Sequence, residues 1–326
     1  MPKIHIFNPD TDYALANNSE FYDAPKNVVE LRRHYALLPS VYADKGDAIL
    51  IIDNIRDSIQ NLPYYENIAK KNLDIIFLND ANVLNNTARY SNYSPEPWGW
   101  NLSIRRIFLN NFGNMPGLPD SNIINNIRDL SHRRTTIEFL KFMKPHLANE
   151  IEIPIEIKSV DEALKEFNQR KNLYFKAPWS SSGRGIILTD DLEEKHVEPW
   201  VRGIIRRQGS VILEKAYNRI FDFATEWKIT DSNANFIGYS VFKVSRRGKY
   251  QSNVDTSQEE LEKIIAFKCP AWDSEFLKLQ KYAIEKIVGK FYNGPLGIDM
   301  LVTESGAINP CVEINFRHTM GMLNLL

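Results

Sequence analysis

Short, almost unbroken apolar runs recur through the first third of the chain. Lys3-Ile4-His5-Ile6-Phe7, Ala48-Ile49-Leu50-Ile51-Ile52 and Asp74-Ile75-Ile76-Phe77-Leu78 each have the length of a strand. Runs that do not alternate predict strands buried on both faces, as in a parallel sheet. Helical patterns fill the gaps, over residues 55–60 and 102–111. Two Pro/Gly-rich patches, 95–101 and 114–119, frame the second helix and predict loops near a domain junction. No Gly-x-Gly-x-x-Gly follows any of these strands, so a dinucleotide site is not expected here.

The pattern changes after residue 125. Thr135 and Glu138 have the spacing of a capping box ahead of Phe139, Leu140 and Met143. Ser159 and Glu162 repeat that spacing, and Val160, Ala163, Leu164 and Phe167 then fall on one helical face. Next come an apolar strand to Lys176, a Ser/Gly-rich loop over residues 180–185, and a strand over 186–188. Val211-Ile212-Leu213 runs into Glu214-Lys215 and then a break. Residues 224–230 and 236–244 read as antiparallel strands, and 274–291 as a long amphipathic helix. Two last strands, 297–301 and 312–317, flank the polar turn Thr303-Glu304-Ser305-Gly306 and predict a hairpin.

Composition describes an ordinary globular chain. Its 326 residues are 43% hydrophobic and 25% charged, enough for two or three domains with their own cores. A formal net charge of −1 leaves no polybasic footprint for nucleic acid or membrane. The two cysteines, Cys269 and Cys311, form no CxxC or Cys/His cluster, which argues against zinc and a disulfide framework. No apolar run reaches membrane-spanning length and no signal-peptide pattern opens the chain, so the cytoplasm is the expected location.

The chemistry concentrates in the last hairpin. Strand side chains alternate, so Glu313, Asn315 and Arg317 share a face, with Asp299 on the partner strand. Two carboxylates and an amide oxygen suit Mg²⁺ or Mn²⁺ bridging phosphate oxygens. The guanidinium of Arg317 suits a phosphoryl group or acyl phosphate. A solvated strand face is the bland alternative. Lys176 ends its strand where an ammonium can reach a phosphate. Gly183 and Gly185 allow backbone shapes that turn amides toward an anion, and Ser181 and Ser182 add hydroxyl donors. An ordinary hairpin turn would need the same residues.

Taken in order, these segments resemble the ATP-grasp superfamily, whose metal-binding end is an acidic residue on one strand followed by Glu-x-Asn-x-Arg on the next. The resemblance carries specific motifs over residues 126–326 and rests on general architecture over 1–125. It implies an α/β and α+β fold, with a Rossmann-like domain (1–125) preceding a two-lobed ATP-grasp domain (126–326). The lobes would divide into a small one, 126–213, and a large one, 214–326. It further implies ATP and Mg²⁺ (or Mn²⁺) as cofactors. Asp299, Glu313 and Asn315 would hold the metal. Lys176 and the loop would hold the β and γ phosphates, and Arg317 would stabilise the transferred phosphoryl and later the oxyanion. Glu214, Lys215, Ala216 and Tyr217 would read the adenine edge, with Glu214 near the adenine amine or a phosphate-binding lysine. Asp222, ahead of Glu226, would meet the ribose. The family commonly places a lysine where this chain has His132-Arg133-Arg134. Arg133 takes that role by register, with Arg134 the fallback.

The activity so implied is carboxylate–amine ligation through an acyl phosphate, acting on small-molecule carboxylate and amine substrates. A homodimer is the one assembly left open. A kinase acting on a hydroxyl, and a nucleotide-binding protein without turnover, are the alternatives. The basic hairpin tip 242–250 and the groups Asn8, Asp10 and Asp12 after the first strand are further substrate-binding candidates.

Overall fold

The computed structural model of the protein describes residues 1–78, 88–148, 150–180, 183, 185–190, 192–244 and 250–325. It is a mixed α/β protein that divides into two compact units, Met1–Arg128 and Asp129–Leu325.

Unit one is built on a four-stranded parallel sheet of β1 (Lys3–Ile6), β2 (Ala48–Ile51), β3 (Asp74–Phe77) and β4 (Ser94–Pro97), in the order β3-β2-β1-β4. The apolar runs are buried as their lack of alternation requires: Ile4, Ala48, Ile49 and Leu50 are almost wholly covered. Helices α1 (Thr11–Asn17), α2 (Lys26–His34), α3 (Glu66–Lys70), α4 (Leu102–Phe112) and α5 (Ser121–Leu130) connect and flank the strands. One core packs Ile4, Ile6 and Leu50 against Ile104, Phe108 and Phe112 of α4; another packs Ile49 and Ile51 against Leu37 and Leu73.

Two expectations change in unit one. Residues Arg56–Asn61 form a 3-10 helix rather than an α-helix. The Pro-rich patch is not wholly loop: Pro95 and Pro97 lie in β4. An edge strand tolerates proline because only one side of it needs backbone donors. Trp98, just beyond, is buried edge-on against Phe7, with ring centroids 5.1 Å apart.

Unit two holds two antiparallel sheets. The smaller combines β5 (Ile155–Ile157), β6 (Leu173–Lys176), β7 (Ile186–Leu188) and β8 (Val211–Lys215), in the order β5-β8-β6-β7. Helices α7 (Val160–Gln169) and α8 (Glu194–Gln208) cover one face of it. Ala163, Phe167, Val197 and Val201 pack on Phe175 and Leu213. The larger sheet runs β11-β10-β9-β12-β13, from β9 (Arg219–Thr230), β10 (Asn233–Val244), β11 (Tyr250–Asn253), β12 (Gly294–Thr303) and β13 (Ile308–Asn315). Helices α6 (Arg134–Met143), α9 (Gln258–Lys268), α10 (Ser274–Ile287) and the short α11 (Met320–Leu323) complete the unit.

The two capping boxes have different outcomes. The Ser159 hydroxyl accepts from the Glu162 amide at the start of α7, as expected. At α6 the helix begins at Arg134, two residues earlier than the Thr135 box requires. There the Nδ1 of His132 accepts the Arg134 amide at 3.0 Å, and Thr135 is buried inside the helix. Helix α10 stops at Ile287, short of the expected 291. Among the described residues, no helix is long and apolar enough to cross a membrane.

Candidate active site

The two sheets of unit two meet around a cleft of about 90 Å³. Four stretches far apart in sequence supply its polar wall: Arg133 before α6, Lys176 from β6, Glu214 from β8, and Asp299 and Glu313 from the β12–β13 hairpin.

Strand register places each of these groups. Lys176 is the last residue of β6 and pairs across to Ile186 of β7 and Ile212 of β8. It is only 4% exposed, and its ammonium meets Glu214 Oε2 at 2.6 Å. Burial pulls the lysine pKa down; the Glu214 carboxylate opposes this, and Arg133 adds to it. Glu214 therefore pairs with the lysine, one of the two positions expected for it. Lys215 and Tyr217 line the cleft beyond it. Lys215 reaches Glu152 at 3.0 Å, and the Tyr217 hydroxyl accepts the Glu152 amide at 2.7 Å. Ala216 contributes backbone only, its amide donating to the Asn172 carbonyl.

The β6–β7 loop turns on its glycines. Gly183 and Gly185 have φ of 72° and 75°, a region other residues enter only at a cost. A Cβ at Gly185 would lie 2.9 Å from the Ser180 Cβ, and the Gly185 carbonyl accepts the Ala177 amide at 2.7 Å. Gly183 lines the cleft; Gly185 shapes the loop behind it. Ser181 and Ser182 lie outside the described residues, as does the stretch 245–249 of the basic hairpin.

Arg133 and Arg134 diverge. Arg133 is buried and spans the cleft floor: Nε donates to the Ala177 carbonyl at 3.2 Å, and NH2 to Ser180 Oγ at 3.2 Å and to Glu313 Oε1 at 2.8 Å. Arg134 instead pairs with Glu156 at 2.8 Å.

In the last hairpin, Asp299 and Glu313 lie directly opposite each other, and Gly297 faces Asn315. Like charges directly across an antiparallel pair repel. Burial pushes the Asp299 carboxyl up to about 8, and the Glu313 and Glu226 carboxylates add to it, against Arg317 and Asn315. The amide of Asn315 links the group, donating to Asp299 Oδ2 at 3.3 Å and accepting from Arg317 NH2 at 2.8 Å. Arg317 lies just past the end of β13 and also donates to the His318 carbonyl. The donor set fits a hard divalent cation: two opposed carboxylates and an amide whose oxygen would have to turn from Arg317 toward the ion. Among the described residues no cluster of three His, Cys, Asp or Glu side chains is arranged for a metal, so the amide is essential to such a set.

Asp222 of β9 lines the cleft, 3.6 Å from Arg219, and burial raises its carboxyl to about 6 despite that neighbour. Sequence reasoning missed several groups. Tyr174 lines the cleft two residues before Lys176, so strand parity alone pointed to it. Arg219, Met300 and Phe242 also line the wall. Glu226, offered only as a ribose contact behind Asp222, is instead sealed beneath the hairpin. Ser240 Oγ and Thr319 Oγ1 each donate to it at 2.9 Å. A Cβ at Gly297 would sit 2.7 Å from one of its oxygens and a Cβ at Gly321 2.2 Å from the other. Those two glycines, one across the ladder and one in α11, were the available signal.

No family model and no curated relative matches the chain. Solved structures do. A biotin carboxylase from Campylobacter jejuni, in complex with a β,γ-ATP compound, aligns over 100% of this chain and 67% of its own, at 11% identity and a TM-score of 0.55. The biotin carboxylase domain of 2-oxoglutarate carboxylase from Hydrogenobacter thermophilus, with MgADP and bicarbonate, aligns over 98% and 65%, at 14% identity and a TM-score of 0.54. An L-amino acid ligase from Bacillus licheniformis aligns over 99% and 69%, at 12% identity and a TM-score of 0.52. The chain thus spans about two thirds of the length of the structures it matches. Their common fold is the ATP-grasp fold, and it is the fold of this chain.

Proposed function

We propose, from its ATP-grasp fold and the chemistry of the cleft, that the protein is an ATP- and Mg²⁺-dependent ligase joining a small-molecule carboxylate to an amine through an acyl phosphate. One observation carries the reading. A buried lysine–glutamate pair, a buried arginine and two opposed carboxylates converge on one cleft from four separated stretches of sequence. Two carboxylates opposed at a cleft wall, one of them held by Arg133, suit a triphosphate with its cation.

In this reading Asp299, Glu313 and Asn315 hold the metal, which supplies charge neutralisation at the phosphates. Lys176 and Arg133 present positive charge to the β and γ phosphates, with Gly183 beside them at the cleft. Glu214 opposes the loss of charge that burial favours in Lys176 and fixes its direction. Lys215, Ala216 and Tyr217 meet the adenine edge, and Asp222 the ribose. Arg317 stabilises the transferred phosphoryl and then the oxyanion of the tetrahedral intermediate. Phosphoryl transfer is mostly positioning and electrostatics, so the site needs no nucleophilic side chain. Unit one, with its parallel sheet, is the Rossmann-like domain that precedes the ATP-grasp domain.

The test is ADP release over a panel of amino acids, small peptides and carboxylic acids, with the product weighed by mass spectrometry. Amide formation with one ADP per product supports the ligase. A phosphoester product would identify a kinase on the same scaffold instead. Bound nucleotide with no ADP from any substrate would contradict turnover.

A further inference from the structure

The turn that carries Arg133 into the cleft is held by its neighbour. Arg133 is the N-cap of α6, in a helical conformation and with no side-chain cap of its own. A helix start leaves backbone amides without partners, and a buried one is costly. His132 supplies the missing acceptor. It is 3% exposed, and its Nδ1 lies 3.0 Å from the Arg134 amide. An amide can only donate, so Nδ1 is the acceptor and the neutral ring carries its proton on Nε2. Nε2 faces Glu156 Oε1 at 3.6 Å, beside the Arg134 guanidinium, which binds the same oxygen at 2.8 Å. The main chain of His132 is tied at both ends: its amide donates to the Asp129 carbonyl and its carbonyl accepts the Thr135 amide.

The same two residues grip the strand end that leads into the β6–β7 loop, through four successive positions. Arg133 Nε donates to the Ala177 carbonyl, its amide to the Pro178 carbonyl at 3.1 Å, and its NH2 to Ser180 Oγ. Between these contacts the His132 ring stands edge-on to Trp179, with centroids 4.6 Å apart and planes at 82°. Trp179 is itself anchored: it is buried, and its amide and carbonyl both bond to the Gln208 side chain, at 3.0 and 3.3 Å. His132 is thus fixed at once by an aromatic ring, a carboxylate and a backbone amide. From the turn it holds, the Arg133 guanidinium reaches Glu313 at 2.8 Å. An arginine has many rotamers, so its aim depends on how firmly its backbone and its polar partners are held.

We infer that His132 is a positioning residue for the cleft: as the hydrogen-bond acceptor at the start of α6, it holds the backbone from which Arg133 points at Glu313 and the phosphates. This role rests on the ligase reading of the cleft. His132 is not among the residues that line the cleft, so it acts through Arg133.

A double-mutant cycle tests it, by calorimetric titration of MgATP into the full chain, with circular dichroism confirming that each variant is folded. His132→Phe keeps a ring against Trp179 and removes the acceptor. It should weaken MgATP binding about tenfold in the wild-type background and under about twofold in an Arg133→Met background, because its effect passes through the arginine. His132→Asn, whose side-chain oxygen can accept the Arg134 amide, should bring binding back to within about threefold of wild type. A histidine with a structural role alone would lower the unfolding midpoint without this dependence on Arg133. If His132→Phe does not fold, His132→Ala takes its place. If neither folds, His132→Asn decides, and a loss of about tenfold or more in that variant overturns the inference. The inference is also overturned if His132→Phe binds MgATP as the wild type does, if its loss is the same with and without Arg133, or if His132→Asn binds no better than His132→Phe. A wild type that binds no MgATP, or an Arg133→Met variant that binds it equally well, counts against the ligase reading instead. The same cycle read by urea unfolding then decides the positioning: coupled losses at His132 and Arg133 support it, and additive losses overturn it.

Discussion

Arg133 shows how much a single side chain can tie together. Its guanidinium holds the Ala177 carbonyl, the Ser180 hydroxyl and the Glu313 carboxylate at once. A lysine could not reproduce that planar fork. Arg133→Lys is expected to cost about 1–2 kcal/mol in urea unfolding through the bonds it drops; an unchanged midpoint would show that the fork contributes nothing. Glu226 makes a pH prediction. Its folded pKa is raised to about 7 by burial, against an ordinary value of 4.5, although Thr319, Ser240 and Arg317 pull the other way. A raised carboxyl favours folding in its protonated form. That contribution is full below about 4.5 and is lost as pH rises to about 7. Glu226→Gln stays neutral throughout. Its stability relative to wild type should therefore improve between pH 4.5 and 8, by up to roughly 3 kcal/mol. A difference that is flat with pH, measured by thermal unfolding at several pH values, would contradict the buried-carboxyl account. Most of these residues could be picked out in advance as types at the right spacing. Their partners could not. That Arg133 would hold Glu313 is a contact across 180 residues of sequence, and no local pattern encodes it.

Local patterns reported faithfully on elements and less well on their ends. The unbroken apolar runs became a parallel sheet because their side chains are covered on both faces. At Ser159 the hydroxyl caps the Glu162 amide, as its spacing implied. The Thr135 box did not form, because His132, held edge-on against Trp179 at 4.6 Å, already offers an acceptor to the helix start. Pro95 and Pro97 read as loop residues, yet they lie in a strand. Whether a strand falls at an edge is a property of the sheet and is not written in its own four residues. The β6–β7 loop makes a prediction at this scale. Gly185→Ala places a methyl against the Ser180 and Ala177 side chains in a left-handed backbone. It should cost about 1–3 kcal/mol and weaken MgATP binding, since the loop above the cleft must shift. Unaltered stability and affinity together would mean that the glycine is not required.

At the scale of the whole molecule, the order of elements was more legible than any single one. Strand, loop, strand, hinge, long antiparallel strands and a closing acidic hairpin follow one another as the ATP-grasp resemblance implied, and the fold agrees at identities of only 11–14%. At that distance the hydrophobic pattern and the placement of charged residues are what persist. The identity of the substrate is not carried by either, because it depends on which side chains line the remaining wall of the cleft. The central claim is that this cleft binds a nucleotide triphosphate with its cation, through Lys176. The direct measurement is a calorimetric titration of MgATP into wild type and Lys176→Ala, with circular dichroism confirming that the variant is folded. Removing a buried, charge-bearing phosphate contact should weaken binding by about a hundredfold or more. Equal affinity in the two proteins would contradict the assignment.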